Sequence, residues 1–470
     1  MTTIPEGIFR AYDIRGKFPA ELNEEVAASI AKAFAVYLRP WSVILGRDVR
    51  KSGDKLFPAV KKALLQSGVN VIDVGIVPAD LFYYAVGSED ADGGIFISAS
   101  HNPADWNGMN MSRREAEPIS SETGLKDIHA LAAAGASLKS GKPGRAVRKN
   151  VVAGYFDFVK AVAPIDKLRP MTLVLNGNFG VSAKLFRKFV ERYKLPFKLI
   201  GLNDEPDGSF PKGAPDPLLK ENRIELSRLV LKKKADLGIA WDADGDRVFF
   251  VDEAGRFLEG YFVTALLARE TLRKKPGSVV ITDPRLIWAT QEVGRELGGR
   301  VVVSRAGMTI IAERMKKESA QFAGEMSGHF YFRETFNRDN GFLPVFLILS
   351  MMGREGKKLS AFLDPLLKKH PNSGEINFPL EDRKAVEEVL RRMEEAYAEG
   401  KIERIDGLSV EFPTWRFNLR ASNTEPLLRL NVEARNKKIL LAELNKLRKL
   451  LAEPGRIKET AGRSVAQSGR

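Results

Sequence analysis

The chain has 470 residues, no cysteine and a formal net charge of +14, from 74 Lys and Arg against 60 Asp and Glu. The lack of cysteine excludes disulfides, thiolate nucleophiles and zinc–thiolate sites, and a cytoplasmic location is the simplest expectation. The length exceeds what one hydrophobic core supports and predicts three or four domains of about 100–150 residues.

The basic excess leaves two classes of partner open, nucleic acids and small anionic molecules. The basic clusters at Arg113–Arg114 and 232–234 are short and lack the interleaved aromatic residues of a single-strand binding platform, so we expect no nucleic-acid partner. The apolar run Phe342–Met352 is too short to span a bilayer, and the N-terminal segment lacks a signal-peptide pattern. We therefore expect no membrane association, and a phosphorylated substrate would explain part of the basic excess.

A strand–helix–strand unit recurs three times along the chain. Its first strands are predicted at 42–48, 171–177 and 278–284, its helices end near Gln66, Arg192 and Leu297, and its second strands lie at 69–74, 197–200 and 300–303. Such units imply mostly parallel sheets with both faces covered. Their spacing predicts three similar α/β domains in tandem, with mixed, mostly parallel sheets.

A polar segment, Ser98-Ala-Ser-His-Asn-Pro103, follows the strand predicted at 94–97. Small residues allow the chain to bend there, and Asn107-Gly108 is predicted to be a turn that brings it back. We expect Ser100 to present an exposed hydroxyl beside His101 at a strand end, where α/β proteins commonly place chemistry. Taken alone, a Ser-His pair more often marks a turn with solvated side chains.

Three aspartates, Asp242, Asp244 and Asp246, alternate between two apolar predicted strands. Carboxylates at this spacing form an oxygen cage for a hard divalent cation such as Mg²⁺. An EF-hand loop begins similarly, but Arg247 stands where that loop needs glycine and the flanks are strands, which excludes it. The alternative is an acidic surface turn, which fits poorly between apolar strands because unpaired carboxylates repel.

The segment Gly324-Glu-Met-Ser-Gly-His329 places polar side chains on a glycine-flanked turn. Glu325 and Ser327 can hydrogen-bond neighbouring sugar hydroxyls. The match alone is weak, and a buried turn histidine is the alternative interpretation of His329.

The pattern changes from about residue 370. Short strands at 376–378, 408–412, 415–419 and 428–432, with helices at 381–399 and 439–451, predict a smaller α+β domain with an antiparallel sheet. Its turn at 420–429 carries two arginines and three short donors suited to a phosphate, although a surface turn is the alternative. We predict domains at 1–149, 150–255, 256–368 and 369–452, and a disordered tail at 453–470.

Five segments together resemble the α-D-phosphohexomutase superfamily, in particular its phosphomannomutase/phosphoglucomutase branch. They are Phe9-Arg-Ala-Tyr-Asp-Ile-Arg-Gly16, 98–103, 242–247, 324–329 and 420–426, in the family's order. The resemblance implies a Mg²⁺-dependent mutase that interconverts hexose 1-phosphate and hexose 6-phosphate, of mannose and/or glucose, through a phosphoserine. It also implies a hexose 1,6-bisphosphate intermediate, with glucose or mannose 1,6-bisphosphate as activator.

The resemblance assigns a role to each candidate residue. Ser100 would be the phosphoserine and would share Mg²⁺ with Asp242, Asp244 and Asp246. The other catalytic candidates are Arg15, His101, Arg247 and His329. The substrate-binding candidates are Tyr12, Arg15, Arg247, Arg305, Gly307, Glu325, Ser327, His329, Arg420, Ser422, Asn423, Thr424 and Arg429.

Two positions depart from the family pattern. Asn110 stands where a lysine, a candidate general acid or base, is usual, and Met308 stands where the phosphomannomutase branch often has histidine. Asparagine cannot titrate, and general acid–base catalysis contributes about 10²–10⁴-fold. Ser100 favours an active mutase, whereas Asn110 and Met308 favour a weakened, sugar-phosphate-binding relative with a regulatory or accessory role. A phosphatase is a lesser variant, and the sequence indicates neither the preferred hexose nor the oligomeric state.

Overall fold

The computed structural model describes residues 3–138, 141–380, 385–421 and 427–452. Within these residues the chain forms four β-sheets, each flanked by helices, in four consecutive domains. The predicted tail at 453–470 lies outside the described residues.

The first domain is built on a six-stranded mixed sheet. Its strands are β1 (Ile14–Lys17), β2 (Ser42–Arg47), β3 (Asn70–Ile76), β4 (Gly93–Ile97), β5 (Trp106–Arg113) and β6 (Ala146–Arg148), in the order β1-β5-β4-β2-β3-β6. Its helices are α1 (Glu24–Leu38), α2 (Gly53–Gln66), α3 (Ala79–Ser88) and α4 (Lys126–Ala133). Strands β2, β3, β4 and β6 are parallel, whereas β5 runs antiparallel to both β4 and β1.

Alternate residues of these strands enter two different cores. Leu45 and Ile95 pack with residues of α1, α2 and α4, whereas Ile44 and Phe96 pack with residues of α3. Because side chains alternate across a strand, each strand of a sheet that is covered on both faces has a nearly continuous apolar sequence.

The second domain repeats the plan with four strands. They are β7 (Met171–Asn176), β8 (Phe197–Leu202), β9 (Leu237–Trp241) and β10 (Val248–Asp252), in the order β10-β9-β7-β8. Its helices are α5 (Val152–Val162), α6 (Ser182–Arg192) and α7 (Lys220–Lys233). Only the pairing of β10 with β9 is antiparallel.

The third domain has a five-stranded mixed sheet. Its strands are β11 (Val279–Thr282), β12 (Arg300–Val303), β13 (Phe322–Gly324), β14 (Phe330–Phe332) and β15 (Arg338–Asp339), in the order β12-β11-β13-β14-β15. Its helices are α8 (Gly260–Lys274), α9 (Trp288–Glu296), α10 (Met308–Glu318), α11 (Leu343–Glu355) and α12 (Ser360–Lys369). Strands β12, β11 and β13 are parallel, and β14 and β15 return antiparallel.

One hairpin occupies the same place in each of these three sheets. A third parallel strand turns back into an antiparallel neighbour, as β4 does into β5, β9 into β10 and β13 into β14. The three turns contain Ser100, Asp242–Arg247 and Glu325–His329, respectively. The repeated topology therefore gives each domain one loop at the carboxyl end of equivalent strands, where α/β proteins bind ligands.

The fourth domain is a five-stranded antiparallel sheet. Its strands are β16 (Asn372–Pro379), β17 (Lys401–Glu403), β18 (Leu408–Glu411), β19 (Trp415–Ala421) and β20 (Leu427–Ala434), in the order β16-β20-β19-β18-β17. Helices α13 (Ala385–Ala396) and α14 (Lys437–Ala452) accompany it. The expected fold, three mixed α/β domains and a smaller antiparallel α+β domain, is confirmed; the exact domain boundaries stay a proposal.

The cores of the four domains are not equivalent. One hydrophobic cluster runs from Ile44 to Leu363 through the first three domains, whereas the fourth domain has a separate cluster from Ile376 to Leu451. The apolar run at Phe342–Met352 is part of the shared core, mostly within α11. No helix of the described ranges combines the length and apolar composition needed to cross a membrane.

The predicted turn at Asn107-Gly108 is wrong. Both residues lie inside β5, where Gly108 pairs with Arg15 of β1. A Cβ atom on Gly108 would lie 2.3 Å from the Ile14 carbonyl oxygen and 2.5 Å from that of Ser98. The glycine is therefore needed for close approach of neighbouring backbone, not for a turn.

Candidate active site

Ser100 lies in the β4–β5 turn with a left-handed backbone, φ 47°. Its N–H donates to Ser98 Oγ at 2.9 Å, and its carbonyl accepts from Arg50 Nη2 at 2.6 Å. A non-glycine residue in this region stores strain that only a well-braced loop sustains, a pattern common at functional sites. The expected exposed hydroxyl is wrong, because only 3% of Ser100 is exposed.

Two serines of this turn meet two aspartates of the second domain. Ser100 Oγ donates to Asp242 Oδ2 at 2.7 Å, and Ser98 Oγ lies 2.6 Å from Asp244 Oδ2. His101 Nδ1 lies 3.1 Å from Ser100 Oγ. The second domain therefore places a carboxylate within hydrogen-bonding distance of the buried serine hydroxyl, and the imidazole beside it comes from the serine loop itself.

Arg50, which the sequence analysis missed, holds the serine loop through hydrogen bonds to its backbone carbonyls. It is fully buried and pairs with Asp48 at 3.1 Å. Its two terminal nitrogens donate to four loop carbonyls, those of Ser100, Asn102, Pro103 and Trp106. The polar pair Asp48 and Arg50 follows β2, which lies beside β4, so their position was a usable signal.

The three predicted aspartates form one cluster. Oxygen atoms of Asp242, Asp244 and Asp246 lie within 4.8 Å of one another. Among the described residues, one buried oxygen each of Asp244 and Asp246 has no hydrogen-bond partner. Burial and the neighbouring carboxylates raise the pKa of Asp244 and of Asp246 well above the ordinary value. Burial also opposes ionisation of Asp242, but Arg247 and the hydrogen bonds to Asp246 and Ser100 together outweigh burial and lower that pKa.

Arg247 joins this cluster to the third domain. Its Nε donates to Asp242 Oδ2 at 2.9 Å, and its Nη1 lies 3.7 Å from Asp216 Oδ1. Its backbone forms an antiparallel bridge with His329. Burial disfavours the guanidinium charge, but Asp242 and Asp216 outweigh burial and raise the pKa of Arg247. Its Nη2 is buried without a hydrogen-bond partner in the described residues, so the site holds a fixed cation with donor capacity to spare.

Glu325, Ser327 and His329 converge in the β13–β14 turn. His329 Nδ1 lies 2.9 Å from Ser327 Oγ and 3.5 Å from Glu325 Oε2, and its Nε2 lies 3.7 Å from Asp246 Oδ1. Burial lowers the pKa of His329, despite the neighbouring Glu325 carboxylate. The imidazole is therefore neutral near pH 7 and can accept a proton.

The N-terminal motif reaches two of these loops. Arg15 Nη1 donates to Asn102 Oδ1 at 2.6 Å in the serine loop. Tyr12 Oη donates to the Ala306 carbonyl at 3.2 Å in the third domain. A Cβ atom on Gly307, whose φ is +129°, would lie 2.5 Å from the Tyr12 ring, so this contact requires glycine. The side chain of Arg305 is exposed.

Arg420 and Arg429 face each other across β19 and β20 and share one carboxylate, that of Glu375. The closest distances are 3.4 Å from Arg420 Nη2 and 3.5 Å from Arg429 Nη1. Burial opposes ionisation of Glu375, but Arg429, Arg285 and Arg420 outweigh it and lower its pKa. This cluster of Arg420, Arg429 and Glu375, the phosphate cradle, therefore concentrates positive charge. The other predicted phosphate-binding residues, Ser422, Asn423 and Thr424, lie outside the described residues.

A hydrogen-bonded path links this arginine cluster to the β13–β14 turn. Arg285 lies 3.8 Å from Glu375 and 2.7 Å from Asp283, which accepts from the Met326 N–H at 2.6 Å. Sequence reasoning missed Arg285, Asp283 and Glu375. Asp283 and Arg285 directly follow β11, and this position at a strand end was the available signal.

Asp339 is a further missed residue. Both of its carboxylate oxygens are buried with no hydrogen-bond partner in the part of the chain that the structure describes, and one lies within 4.8 Å of ligand atoms of Asp246 and His329. Burial raises its pKa, although Arg338 and His329 oppose the shift. The polar run Asn337-Arg-Asp-Asn-Gly341, which contains the short strand β15, was the signal in the sequence.

Four family models match consecutive parts of the chain. They describe the phosphoglucomutase/phosphomannomutase alpha/beta/alpha domains I, II and III, at residues 6–138, 153–255 and 259–370, and the C-terminal domain, at 375–451.

Individual relatives agree with these matches. A phosphomannomutase from Escherichia coli is 42% identical over 436 residues, which cover 91% of this chain and 94% of the relative. A protein described as "Phosphohexose mutases" from Xanthomonas campestris pv. campestris is 42% identical over 436 residues, which cover 92% and 96%. The solved structure of a phosphoglucomutase/phosphomannomutase family protein from Burkholderia thailandensis matches with a TM-score of 0.87 at 28% identity, over 97% of this chain and 99% of that chain.

Proposed function

The chain belongs to the phosphoglucomutase/phosphomannomutase family and is an isomerase that acts as a phosphohexomutase, and we propose that it interconverts a hexose 1-phosphate and the corresponding 6-phosphate. We propose mannose and/or glucose as the hexose, phosphorylated Ser100 as the donor and a hexose 1,6-bisphosphate as the intermediate. The observation that carries the proposal is the 2.7 Å hydrogen bond from Ser100 Oγ to Asp242 Oδ2, which joins a buried hydroxyl to the carboxylate cluster.

Asp242, Asp244 and Asp246, with an oxygen of phosphorylated Ser100, would hold Mg²⁺. The all-oxygen donor set fits this cation, and one oxygen each of Asp244 and Asp246 is a ligand atom that no other described residue satisfies. Bound there, the cation would neutralise charge on the phosphoryl group.

Two balanced transfers complete the proposed reaction. In the first, the bond from Ser100 Oγ to phosphorus breaks, and the phosphoryl group forms a bond to the oxygen of the free sugar hydroxyl. The sugar hydroxyl loses one proton and Ser100 Oγ gains one, so the protons balance. The bisphosphate then turns around, and the second transfer reverses these changes at the other phosphate. In-line positioning and charge neutralisation dominate such chemistry.

Protein groups are available for each proton and charge. His101 Nδ1, 3.1 Å from Ser100 Oγ, would exchange the serine proton, and neutral His329 would accept the sugar proton. Arg247 and Arg15 would stabilise charge on the reacting phosphate. Arginine stays protonated and cannot act as the base.

Sugar recognition would divide between two domains. Glu325, Ser327 and the 305–307 loop would contact hydroxyls, while Tyr12 would hold that loop in place. Arg420 and Arg429, with Ser422, Asn423 and Thr424, would bind the phosphate that does not react. The separate core of the fourth domain supports a hinge motion that admits either end of the sugar and then excludes water.

The proposal is tested with purified protein, Mg²⁺, a trace of glucose 1,6-bisphosphate, and glucose 1-phosphate or mannose 1-phosphate followed by ³¹P NMR. We expect conversion to the 6-phosphate, its loss in Ser100→Ala and its loss when Mg²⁺ is chelated. Ser67→Ala is the matched control, because Ser67 is also buried in the first domain but donates to the Ala63 carbonyl, away from the site.

Two other outcomes would replace this proposal. Tight sugar-phosphate binding without conversion would establish a binding protein with a regulatory or accessory role, the alternative that Asn110 and Met308 favour. Release of inorganic phosphate alone would establish a phosphatase whose closed site admits water.

A further inference from the structure

Asn110 and Met308, the two departures from the family pattern, are neighbours in space. Asn110 lies on β5 and Met308 begins α10, and the distance from Asn110 Nδ2 to Met308 Sδ is 3.8 Å. Neither side chain carries a charge or titrates. One region of the site therefore lacks both of the cationic or titratable side chains that the resemblance leads us to expect.

Arg338 places a cation at this point. Its Nη2 lies 2.9 Å from Met308 Sδ, and its guanidinium carbon lies 3.8 Å from the centre of the Tyr83 ring. The Tyr83 hydroxyl also lies 3.7 Å from Met308 Sδ. A thioether is a weak acceptor and an aromatic face attracts a cation, so these two groups hold the guanidinium without neutralising it.

Two donors of Arg338 are left unused by the described part of the protein. The residue is fully buried and interacts electrostatically with the adjacent Asp339 carboxylate, but in the described ranges its Nε and Nη1 have no hydrogen-bond partner. Most buried donors in proteins are satisfied, and an unsatisfied one is unfavourable. Two unused donors on a fixed cation therefore point to an anionic, oxygen-rich ligand.

The surroundings of Arg338 belong to the proposed sugar site. Met308 directly follows Gly307, whose N–H donates to Glu325 Oε1 at 2.9 Å. On the other side, the adjacent Asp339 has a carboxylate oxygen within 4.8 Å of His329 and Asp246. Arg338 thus lies between the serine-loop strand β5 and the sugar-recognition turn.

We propose that Arg338 is a further catalytic residue, which donates hydrogen bonds to the sugar phosphate and supplies the positive charge that Asn110 and Met308 lack. This inference rests on the proposed mutase function. Because arginine stays protonated, Arg338 stabilises developing charge and orients oxygen atoms, while proton exchange remains with the histidines.

The test compares mutase kinetics of Arg338→Met and Arg338→Lys with the wild-type enzyme. Loss of a preorganised donor to developing charge lowers kcat by about 10²–10³-fold, and we expect this for Arg338→Met, with a smaller change in KM. Arg338→Lys keeps the charge and is expected to retain intermediate activity. Arg333→Met is the matched control, since Arg333 is an exposed arginine between β14 and β15.

A second-site substitution separates charge from structure. Adding Asn110→Lys to Arg338→Met returns a cation to the same region, and we expect at least a tenfold recovery of kcat. The rescued enzyme should also lose activity at alkaline pH as the lysine deprotonates, a limb absent from the wild-type profile. Asn110→Lys alone should give no gain, because two adjacent cations repel.

Each result decides between the two proposals. A folded Arg338→Met enzyme with kcat within about threefold of wild type would overturn the role of Arg338 alone, as would failure of Asn110→Lys to rescue it. If Arg338→Met does not fold, two other variants decide the question. Wild-type kcat in folded Arg338→Met carrying Asn110→Lys, or a tenfold lower kcat in folded Arg338→Lys, would support the role of Arg338. Wild-type kcat in Arg338→Lys together with an inactive but folded double variant would overturn it. An inactive wild-type protein would overturn the mutase proposal and with it the role of Arg338.

Discussion

Replacing Arg50 with lysine tests how the serine loop is held. All five N–H donors of the guanidinium have acceptors: Nε donates to Asp48, and the terminal nitrogens donate to four loop carbonyls. An ammonium group carries the same charge but only three donors, which radiate from one atom. At least two of the five acceptors must therefore lose their protein partner in Arg50→Lys.

The expected magnitude follows from those lost bonds. Three of the acceptor carbonyls belong to residues that are not buried, so the net worth of a hydrogen bond applies, and two lost bonds cost about 1–3 kcal/mol in the loop that carries Ser100. The left-handed backbone of Ser100 then has less support. A displacement of about 1 Å at a reacting group costs about 10²-fold in rate, and we expect a loss of that order in kcat.

The assay combines mutase kinetics with hydrogen exchange of the amides at 98–106. Arg50→Lys should lower kcat and increase exchange in this segment, while the thermal unfolding midpoint falls. Arg47→Lys is the control, because Arg47 also follows the buried part of β2 but pairs with Asp54 near the surface. Wild-type kcat in Arg50→Lys, or an equal loss in Arg47→Lys, would refute the reasoning.

Two further substitutions test buried carboxyl groups. Burial raises the pKa of Asp80 to about 7 from the ordinary 3.8, even though Tyr155 donates a hydrogen bond to it. Protonated Asp80 therefore favours folding at low pH, and this contribution, about 4 kcal/mol, is lost as the pH rises to about 7. The thermal midpoint of Asp80→Asn relative to wild type should rise between pH 5 and pH 8, and a constant difference would contradict this. Glu433 is fully buried between the third and fourth domains, where it accepts from Arg416 at 3.0 Å and from Tyr261 at 2.6 Å. Glu433→Gln leaves the Arg416 charge unpaired and should raise KM for the sugar phosphate more than it lowers kcat, and an unchanged KM would contradict the role of this contact in placing the phosphate cradle.

The repeated fold was predictable because its signals are local. A strand, its turn and the following helix fall within about 30 residues, and the predicted strands at 42–48, 171–177 and 300–303 lie within a residue or two of β2, β7 and β12. Hydrophobic runs and glycine turns decide these elements without help from the rest of the chain. The antiparallel pattern after residue 370 was predictable for the same reason.

Errors arose where a residue's neighbours come from distant sequence. Asn107-Gly108 has the composition of a turn, yet strands β1 and β4 flank it, and their backbones require glycine at 108. Ser100 has the composition of an exposed loop, yet Asp242, 142 residues away, closes over it. Local composition is the same in both environments, so only tertiary packing separates them.

The candidate site itself follows from three copies of one hairpin. Each copy alone offers an unremarkable turn: a serine, a set of aspartates, or a Glu-Ser-His group. The domains pack so that Ser98 touches Asp48 of its own sheet and Asp244 of the next, while the Arg247 backbone pairs with that of His329. Because these contacts cross domain boundaries, the nucleophile, the carboxylates and the sugar-recognition turn are aligned only when all three domains share their core. A substitution deep in that core, far from any loop, should therefore reduce activity before it unfolds the chain.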